Sequence, residues 1–455
     1  PFFFCAVTDT ASNMNAFGER ILRWNEASFL RHHYCADHVL QLTAIKAYSG
    51  DVSERQPLIF DEEDEGEDTS VSVLKKARDL VSFFHSSTVA TERLIAAQKH
   101  LKPTSIPLKL VQDVKTRWWS THSLILRVLE LREALKHLFN NESRYREGQN
   151  VQAPLEKLQL TDRDFEQLEN IEFVLKPFQE AQKALEGEHY VNLSLLPLVI
   201  SEMKDQLGIC AAAVNPVTQQ DLHALLEKMQ EDFHERWGDS LEYSSNIIRA
   251  NRRRQKGIPT YSYWALVLDP RTKRKVSKLL EDERQLTALW LDIHHAIKIL
   301  MQRETGTTVP MEQEQEQEHQ PQQEEGQQQQ RKKKRPAFLA RADEDMETAP
   351  DTTPTTDQIL DAEITAYKAD KGQPMFDKDD GYNNPVEWWR IHSCKYPNIW
   401  KLASCILAIP ATSAPSERVF SAATNIVNKK RVRLKPETLD LLIFLRGNKD
   451  FVQWN

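Results

Sequence analysis

The chain has 455 residues, of which 40% are hydrophobic, 28% are charged and only 13 are glycine. That is length enough for two or three domains with cores of their own, and so little glycine favours helices. A net charge of -8 excludes a globally basic nucleic-acid binder, so any contact with DNA has to come from local basic patches. The five cysteines, Cys5, Cys35, Cys210, Cys394 and Cys405, are odd in number and scattered, which suits a reducing compartment. No apolar run reaches the roughly 20 residues that a membrane-spanning helix needs.

In chain order, Phe2 to Val7 form a short apolar run leading to Asp9, the pattern of a buried strand that delivers an acid to a sheet edge. The run does not read as a signal peptide, because Asp9 interrupts it and no basic leader precedes it. Its opening at Pro1, inside a strand-like stretch, predicts a piece of a longer protein. A helix over residues 17–29, a short strand and a helix from His38 to Tyr48 follow, and Asp61 to Asp68 read as an acidic loop.

From Val71 to Leu300 the apolar residues fall at helical spacing. Val73, Leu74, Ala77, Leu80, Val81 and Phe84 make one such stripe, and Leu124, Val128, Leu129, Leu131 and Leu135 another. An all-helical segment is expected here, broken near Pro103, Pro107, Pro154 and Pro259. Glu304 to Thr356 is Gln/Glu-rich, then basic from Arg331 to Arg335, then rich in Asp, Thr and Pro, with almost nothing apolar to pack; disorder is expected there.

Structure is expected to resume near Asp357. Trp400, Ala403, Ile406 and Leu407 share a helix face that Pro410 ends. Pro415 suits the first turn of a helix carrying Val419, Phe420, Ala423 and Ile426 on one side. Pro436 opens a third helix, with Leu439, Leu442, Ile443 and Leu445 apolar and Gly447 at its end. These faces, with the pair Trp388 and Trp389, fit either an ordinary helical core or a surface shared with a second chain.

Several polar residues have a plain reading from their position. Asp9 closes a strand, where it caps the next helix. Glu417 lies in a first helical turn, where it complements the helix dipole. Cys35 and His38 have metal-ligand spacing, but no second ligand pair follows at suitable distance, so no zinc is expected. Asp269 precedes Pro270, which disfavours helix and points to a structural strand or turn.

Four tail blocks, Pro385–Arg390, Lys395–Lys401, Pro410–Ser421 and Asn428–Glu437, stand in one order before Leu439 to Leu445. The series resembles the C-terminal dimerisation region of hAT-superfamily DNA transposases. Val7 to Ala16, Cys35 to Leu42, Asp113 to Thr121 and Leu268 to Lys273 resemble further blocks of that family. The resemblance implies an α/β RNase H-like core, partial here because its first strands are missing, with a large all-α insertion and an α-helical C-terminal dimerisation region. The chain is then predominantly helical, divided as core (1–60), insertion (61–303), linker (304–356) and dimerisation region completing the core (357–455).

In that family, strand cleavage and transfer use three carboxylates that hold two divalent ions, Mg²⁺ or Mn²⁺, on oxygen ligands. Asp9 matches the second carboxylate and Glu417 the third, while the first is expected upstream of Pro1, along with the family's zinc-finger DNA-binding domain. The resemblance places His38 near the active site and DNA, with an interior, hydrogen-bonded His as the alternative. It sets Arg117 on phosphate and Trp118 on a base flipped from the transposon end, where stacking contributes about 1–3 kcal/mol; the alternative is an aromatic anchor for the first insertion helix. Trp388, Trp389, Val419, Phe420, Leu439, Leu442 and Ile443 are the expected dimer contacts. The partners implied are a second copy and DNA, with no membrane. Arg331 to Pro336 reads as a nuclear import signal or a charged linker. A non-catalytic nuclear DNA-binding or regulatory dimer is the alternative to an enzyme.

Overall fold

The computed structural model describes residues 4–9, 14, 16, 30–49, 70–113, 118–140, 158–187, 190–217, 219–238, 257–304, 354–426 and 435–448. Strand β1 (Phe4–Thr8) pairs in parallel with β2 (Leu30–Tyr34), Phe4 opposite Leu30 and Thr8 opposite Tyr34. Cys35 continues the ladder by donating its N–H to the Thr8 carbonyl at 2.6 Å. Helix α1 (Ala36–Ser49) follows at once. On β2, His33 is buried and hydrogen-bonded through Nδ1 to the Tyr261 hydroxyl at 2.6 Å; burial, foremost, lowers its pKa to about 4. The helix expected at 17–29 and the acidic loop at 61–68 lie outside the described residues.

Two helices joined at Ser87 come next, α2 (Ser70–Ser86) and α3 (Thr88–Leu101), then α4 (Trp118–Glu130) and α5 (Arg132–Asn140). The stripe from Val73 to Phe84 is buried throughout, as its spacing predicts. Helix α3 stops before Pro103, and the extended chain beyond it is held by Gln98. That amide donates to the Leu108 carbonyl at 2.8 Å and accepts the Leu108 N–H at 2.7 Å, as a neighbouring strand would.

Helix α6 (Asp162–Leu185) is the axis of the helical part. Thr161 and Asp164 form a reciprocal capping box at its start. Phe165, Leu168, Ile171, Val174, Leu175, Phe178 and Leu185 are buried along it. It packs against α1, α2 and α4 and against the two helices that follow, α7 (Leu196–Ala213) and α8 (Gln220–Trp237).

Helix α9 (Thr260–Leu268) is buried from Tyr261 to Leu268 on every side. Its last carbonyls have no helical partner and no water, so side chains must supply the donors. Tyr367 donates its hydroxyl to the Val267 and Leu268 carbonyls, both at 3.0 Å, and the Trp389 indole N–H donates to Leu268 at 2.9 Å. Residues 268–273 therefore form a helix end and turn, with no strand. Within that turn Arg271 and Asp269, both fully buried, pair at 2.7 Å. Ser194 donates to Asp269 at 2.5 Å, and Arg271 donates to the carbonyls of Val191 at 2.6 Å and Asn383 at 3.0 Å.

After the short α10 (Val276–Leu279), α11 (Glu283–Glu304) leads to residue 304 and α12 (Thr356–Ala369) resumes from it. The linker expected between them, with its basic cluster, lies outside the described residues. Helices α13 (Pro385–His392), α14 (Pro397–Ile406), α15 (Ala414–Ile426) and α16 (Pro436–Gly447) follow the predicted proline boundaries. Gly372 allows the chain to pass the α9 turn: its φ is +68° and an added Cβ would lie 2.2 Å from the Pro270 carbonyl oxygen.

The tryptophan pair departs from the expectation of a dimer contact. Trp389 is fully buried and Trp388 nearly so, within one cluster that includes Tyr367 and Tyr396. Lys273 points its ammonium at the Tyr367 ring, 4.2 Å from the centroid. Both indoles are thus covered by their own chain. The described strands number two, and the chain is predominantly helical.

Asp269→Ala leaves the Arg271 guanidinium charged and unpaired in the interior, and should destabilise the chain by about 3–5 kcal/mol in urea titration. Arg390→Ala breaks an exposed 2.8 Å pair with Glu387 and should change stability by less than about 1 kcal/mol in the same titration.

Candidate functional site

Four segments converge where β1 ends. They are Asp9, the start of α1 with Cys35, Asp37 and His38, the C-terminal end of α6 at Glu186, and the start of α15 with Glu417 and Arg418. Helix α6 delivers Glu186 because its 24-residue run ends beside α1. The two are fastened from α15: Arg418 donates to the Glu186 carbonyl at 2.7 Å and its guanidinium lies 3.8 Å from the Glu186 carboxylate. A cation at the C-terminal end of a helix meets the negative end of the dipole, which favours this contact.

His38 reads both predicted acids at once. Burial, the largest influence, lowers its pKa; the carboxylates of Asp9 and Glu417 pull it back up, and Arg236 pushes it down. Arg236 is itself fixed by a two-point contact with buried Asp232, at 2.7 and 3.2 Å. Asp9 and Glu417, from opposite ends of the sequence, therefore act on one imidazole. Glu417 is exposed on its helix, and Ser413 donates to its Oε1 at 3.2 Å.

Two further acids complete the cluster. Asp37 is pushed up to about 9, first by burial, then by its hydrogen bond to Glu186 and by repulsion from Glu186 and Glu417, with Arg418 opposing. Its Oδ1 is buried without a hydrogen-bond partner. Sequence reading passed over Asp37 and Glu186. The first is an ordinary first-turn acid and the second a helix-terminal one; only the meeting of α1 and α6 makes them neighbours.

Oxygen donors of this kind suit Mg²⁺ or Mn²⁺, and the crowding of carboxyl groups around Asp37 is what a divalent cation would relieve. Among the described residues no three His, Cys, Asp or Glu side chains are grouped closely enough to hold an ion. Cys35 is fully buried and its thiol is pushed up to about 11, chiefly by burial, so it remains protonated and acts as a hydrogen-bond partner.

Arg117 and the Trp118 side chain lie outside the described residues, as do the basic runs at 252–256 and 429–433. Trp119, next on α4, is 39% exposed. The block that carries it is anchored by Asp113, which accepts from Arg78 at 2.8 Å and from Thr121 at 3.0 Å. Of the expected dimer contacts, Val419 and Phe420 on α15 are exposed, while Leu439, Leu442 and Ile443 on α16 are half-buried. Leu441 and Phe444 face outward on α16, which has no buried residue.

Residues 363–448 match the hAT family C-terminal dimerisation region, and residues 34–163 match the ZBED1 RNase-like helical domain. Along 97% of its length the chain is 23% identical to "Putative transcriptional regulator tpeD" of Talaromyces stipitatus, covering 45% of that protein. Along 84% it is 22% identical to "Zinc finger BED domain-containing protein RICESLEEPER 2" of Oryza sativa subsp. japonica, covering 48%. Over 87 residues, 19% of the chain and 10% of the relative, it is 32% identical to "Putative AC transposase" of Zea mays. The chain thus spans about half the length of the curated relatives it matches over most of its own length.

Asp37→Asn tests the electrostatics of the cluster. A carboxyl group raised from 3.8 to about 9 holds its proton more tightly folded than unfolded. Its contribution is complete at acid pH and is lost as pH rises through that window. The variant should match the parent in urea midpoint near the lower limit and exceed it increasingly towards the upper one.

Proposed function

The chain belongs to the hAT superfamily of transposases and transposase-derived proteins, and from that premise we propose that it works as a nuclear, DNA-binding dimer with part of a metal-dependent DNA-cleaving site. The observation that carries this reading is the bonding that brings the strand end at Thr8, next to Asp9, to Glu417 through Cys35 and Ser413, beside His38. In an RNase H-like core, acids from a strand end and from a distant helix meet in this way, and the match of residues 34–163 to an RNase-like helical domain supports such a core.

Asp9 and Glu417 are the ligands that this chain supplies to Mg²⁺ or Mn²⁺, with a third carboxylate expected from a preceding strand of the complete protein. Held by these residues, such ions would supply activation of the attacking oxygen and stabilisation of the leaving one. His38, lowered by burial, is neutral at physiological pH and stands beside the acids as a hydrogen-bonding group for DNA. Arg117, Trp118 and the exposed Trp119 are the further residues assigned to DNA contact. Positive residues outside the acid cluster must carry the phosphate contacts, since the net charge of the chain is -8.

A second reading has its own support. The relatives aligned over most of the chain are named as a putative transcriptional regulator and a BED zinc-finger protein, whereas the named transposase aligns over 87 residues. A dimeric DNA-binding regulator with no cleavage activity follows from them.

The full-length protein with a plasmid bearing its own flanking ends separates the two. With Mn²⁺ the enzyme reading expects nicking that Glu417→Gln reduces at least about 100-fold, a loss of roughly 2.7 kcal/mol in transition-state stabilisation. DNA binding without nicking by the parent protein selects the regulator.

Self-association is assigned to the outer faces of α15 and α16. Phe420, 71% exposed, and Phe444, 62% exposed, offer apolar area that a second copy would cover. Phe420→Glu with Phe444→Glu should convert the dimer to a monomer in sedimentation with no loss of melting temperature of the monomeric fold. Unchanged sedimentation would move the dimer contact elsewhere.

A further inference from the structure

Residues 411–413, between α14 and α15, have no regular structure, yet Ala411 and Thr412 are fully buried. Their backbone groups must find partners in the interior, and the partners come from two distant parts of the chain. The Ala411 N–H donates to Asn192 Oδ1 at 2.9 Å. The Ala411 carbonyl accepts the Ala36 N–H at 3.1 Å. The Ser413 N–H donates to Cys35 Sγ at 3.2 Å.

Asn192 is buried and fully committed. While its oxygen holds Ala411, its amide nitrogen donates to the carbonyls of Leu185 at 2.7 Å and Gly187 at 3.1 Å, just past the end of α6. These three contacts leave one orientation for the amide, since exchanging its oxygen and nitrogen would set donor against donor and acceptor against acceptor. Aspartate cannot replace it, having no donor for the two carbonyls, and leucine can make none of the bonds.

Cys35 faces the other way. Its N–H is bound to the Thr8 carbonyl, one residue before Asp9, and its sulfur is bound to Ser413. Ser413 passes the constraint on: its hydroxyl donates to Glu417 Oε1 at 3.2 Å and its carbonyl accepts the Glu417 N–H at 3.1 Å. A continuous series of bonds thus runs from the strand end beside Asp9, through Cys35 and Ser413, to the carboxylate of Glu417. Asn192 ties the same segment to α6, which also contributes Glu186 to the cluster.

We propose that Asn192 and Cys35 are positioning residues for Glu417, gripping residues 411–413 from two sides and so fixing the separation of Glu417 from Asp9. The helical insertion then takes part in building the acid pair through Asn192. For catalysis the inference rests on the cleavage reading given above, whereas the grip itself does not. The plainer role for Asn192 is to cap the end of α6, and for Cys35 to fill core volume. Neither of these roles requires any change at Glu417 when the side chain is removed.

Hydrogen exchange on the full chain distinguishes them. In Asn192→Ala and in Cys35→Ala, amides from Ser413 to Glu417 should exchange at least tenfold faster, with α4 and α9 unchanged. Cys35→Ser keeps an acceptor for the Ser413 N–H and should restore slow exchange. If Asn192→Ala does not fold, the comparison of Cys35→Ala with Cys35→Ser decides alone. Exchange at 413–417 that stays at the parent rate in Cys35→Ala, or that rises equally throughout the chain, overturns the proposal.

Nicking by the full-length protein supplies the functional arm. Cys35→Ala should need several-fold more Mg²⁺ for half-maximal nicking, and Cys35→Ser should recover the parent requirement, a shift that loss of folded protein alone does not produce. A parent-like Mg²⁺ requirement in Cys35→Ala overturns the catalytic part. If Glu417→Gln nicks as the parent does, or the parent does not nick, the cleavage reading fails, and the exchange result still decides whether the grip exists.

Discussion

The structure depends on the end of one short helix. Helix α9 is buried on all sides, so its final carbonyls and the charged turn after it cannot turn to water. An unsatisfied buried carbonyl costs about 1–3 kcal/mol, and an unpaired buried charge more. The donors that meet this demand are Tyr367 and Trp389, from beyond residue 356, and Arg271 closes the turn onto Asp269, Val191 and Asn383. The insertion and the C-terminal region are consequently joined by their polar interior as much as by apolar packing. Such a junction is specific, because its donors must meet carbonyls fixed at one helix end and one turn.

That junction divides the C-terminal region into two parts with different roles. Its first three helices, α12 to α14, turn aromatic and aliphatic side chains inward: Tyr367, Trp389, Tyr396, Ile399 and Leu402 are fully buried. Tyrosine and tryptophan suit this place because each offers a large apolar surface and one hydrogen-bonding atom. Its last two helices leave Phe420, Leu441 and Phe444 more than half exposed. The inner part binds the region to its own chain, and the outer part presents apolar area at the surface. The acid cluster lies at the start of α15, so the boundary between these roles runs beside Glu417.

Much of this organisation was legible in the sequence. Helices α2, α4, α14 and α15 follow apolar spacing, and Pro103, Pro259, Pro410 and Pro436 mark ends or starts that the chain observes. Periodicity gives the buried face of a helix without naming what covers it. For that reason Trp388 and Trp389 suited a dimer surface equally well, until Lys273, Tyr367 and Tyr396 were found around them. At the candidate site, Asp9 and Glu417 stand out in the sequence because their local motifs are distinctive. Asp37, Glu186 and Asn192 do not. Their importance comes from a meeting of α1, α6 and residues 411–413, which no local pattern encodes. The extent of the sheet also escapes local reading, since strand pairing is a long-range property.

The dependence of α9 on Trp389 also sets an order of events in synthesis. The helix and its turn emerge from the ribosome long before the residues that complete them, and β1 waits for Tyr261 while Ala36 waits for Ala411. Contacts of such long sequence separation form late and slowly. A chain halted before residue 389 displays an apolar helix with open carbonyls and a charged turn without its cover, a surface that chaperones and proteases are built to detect. Premature stop codons ahead of Trp389 should therefore yield products that are cleared, with no stable shorter form.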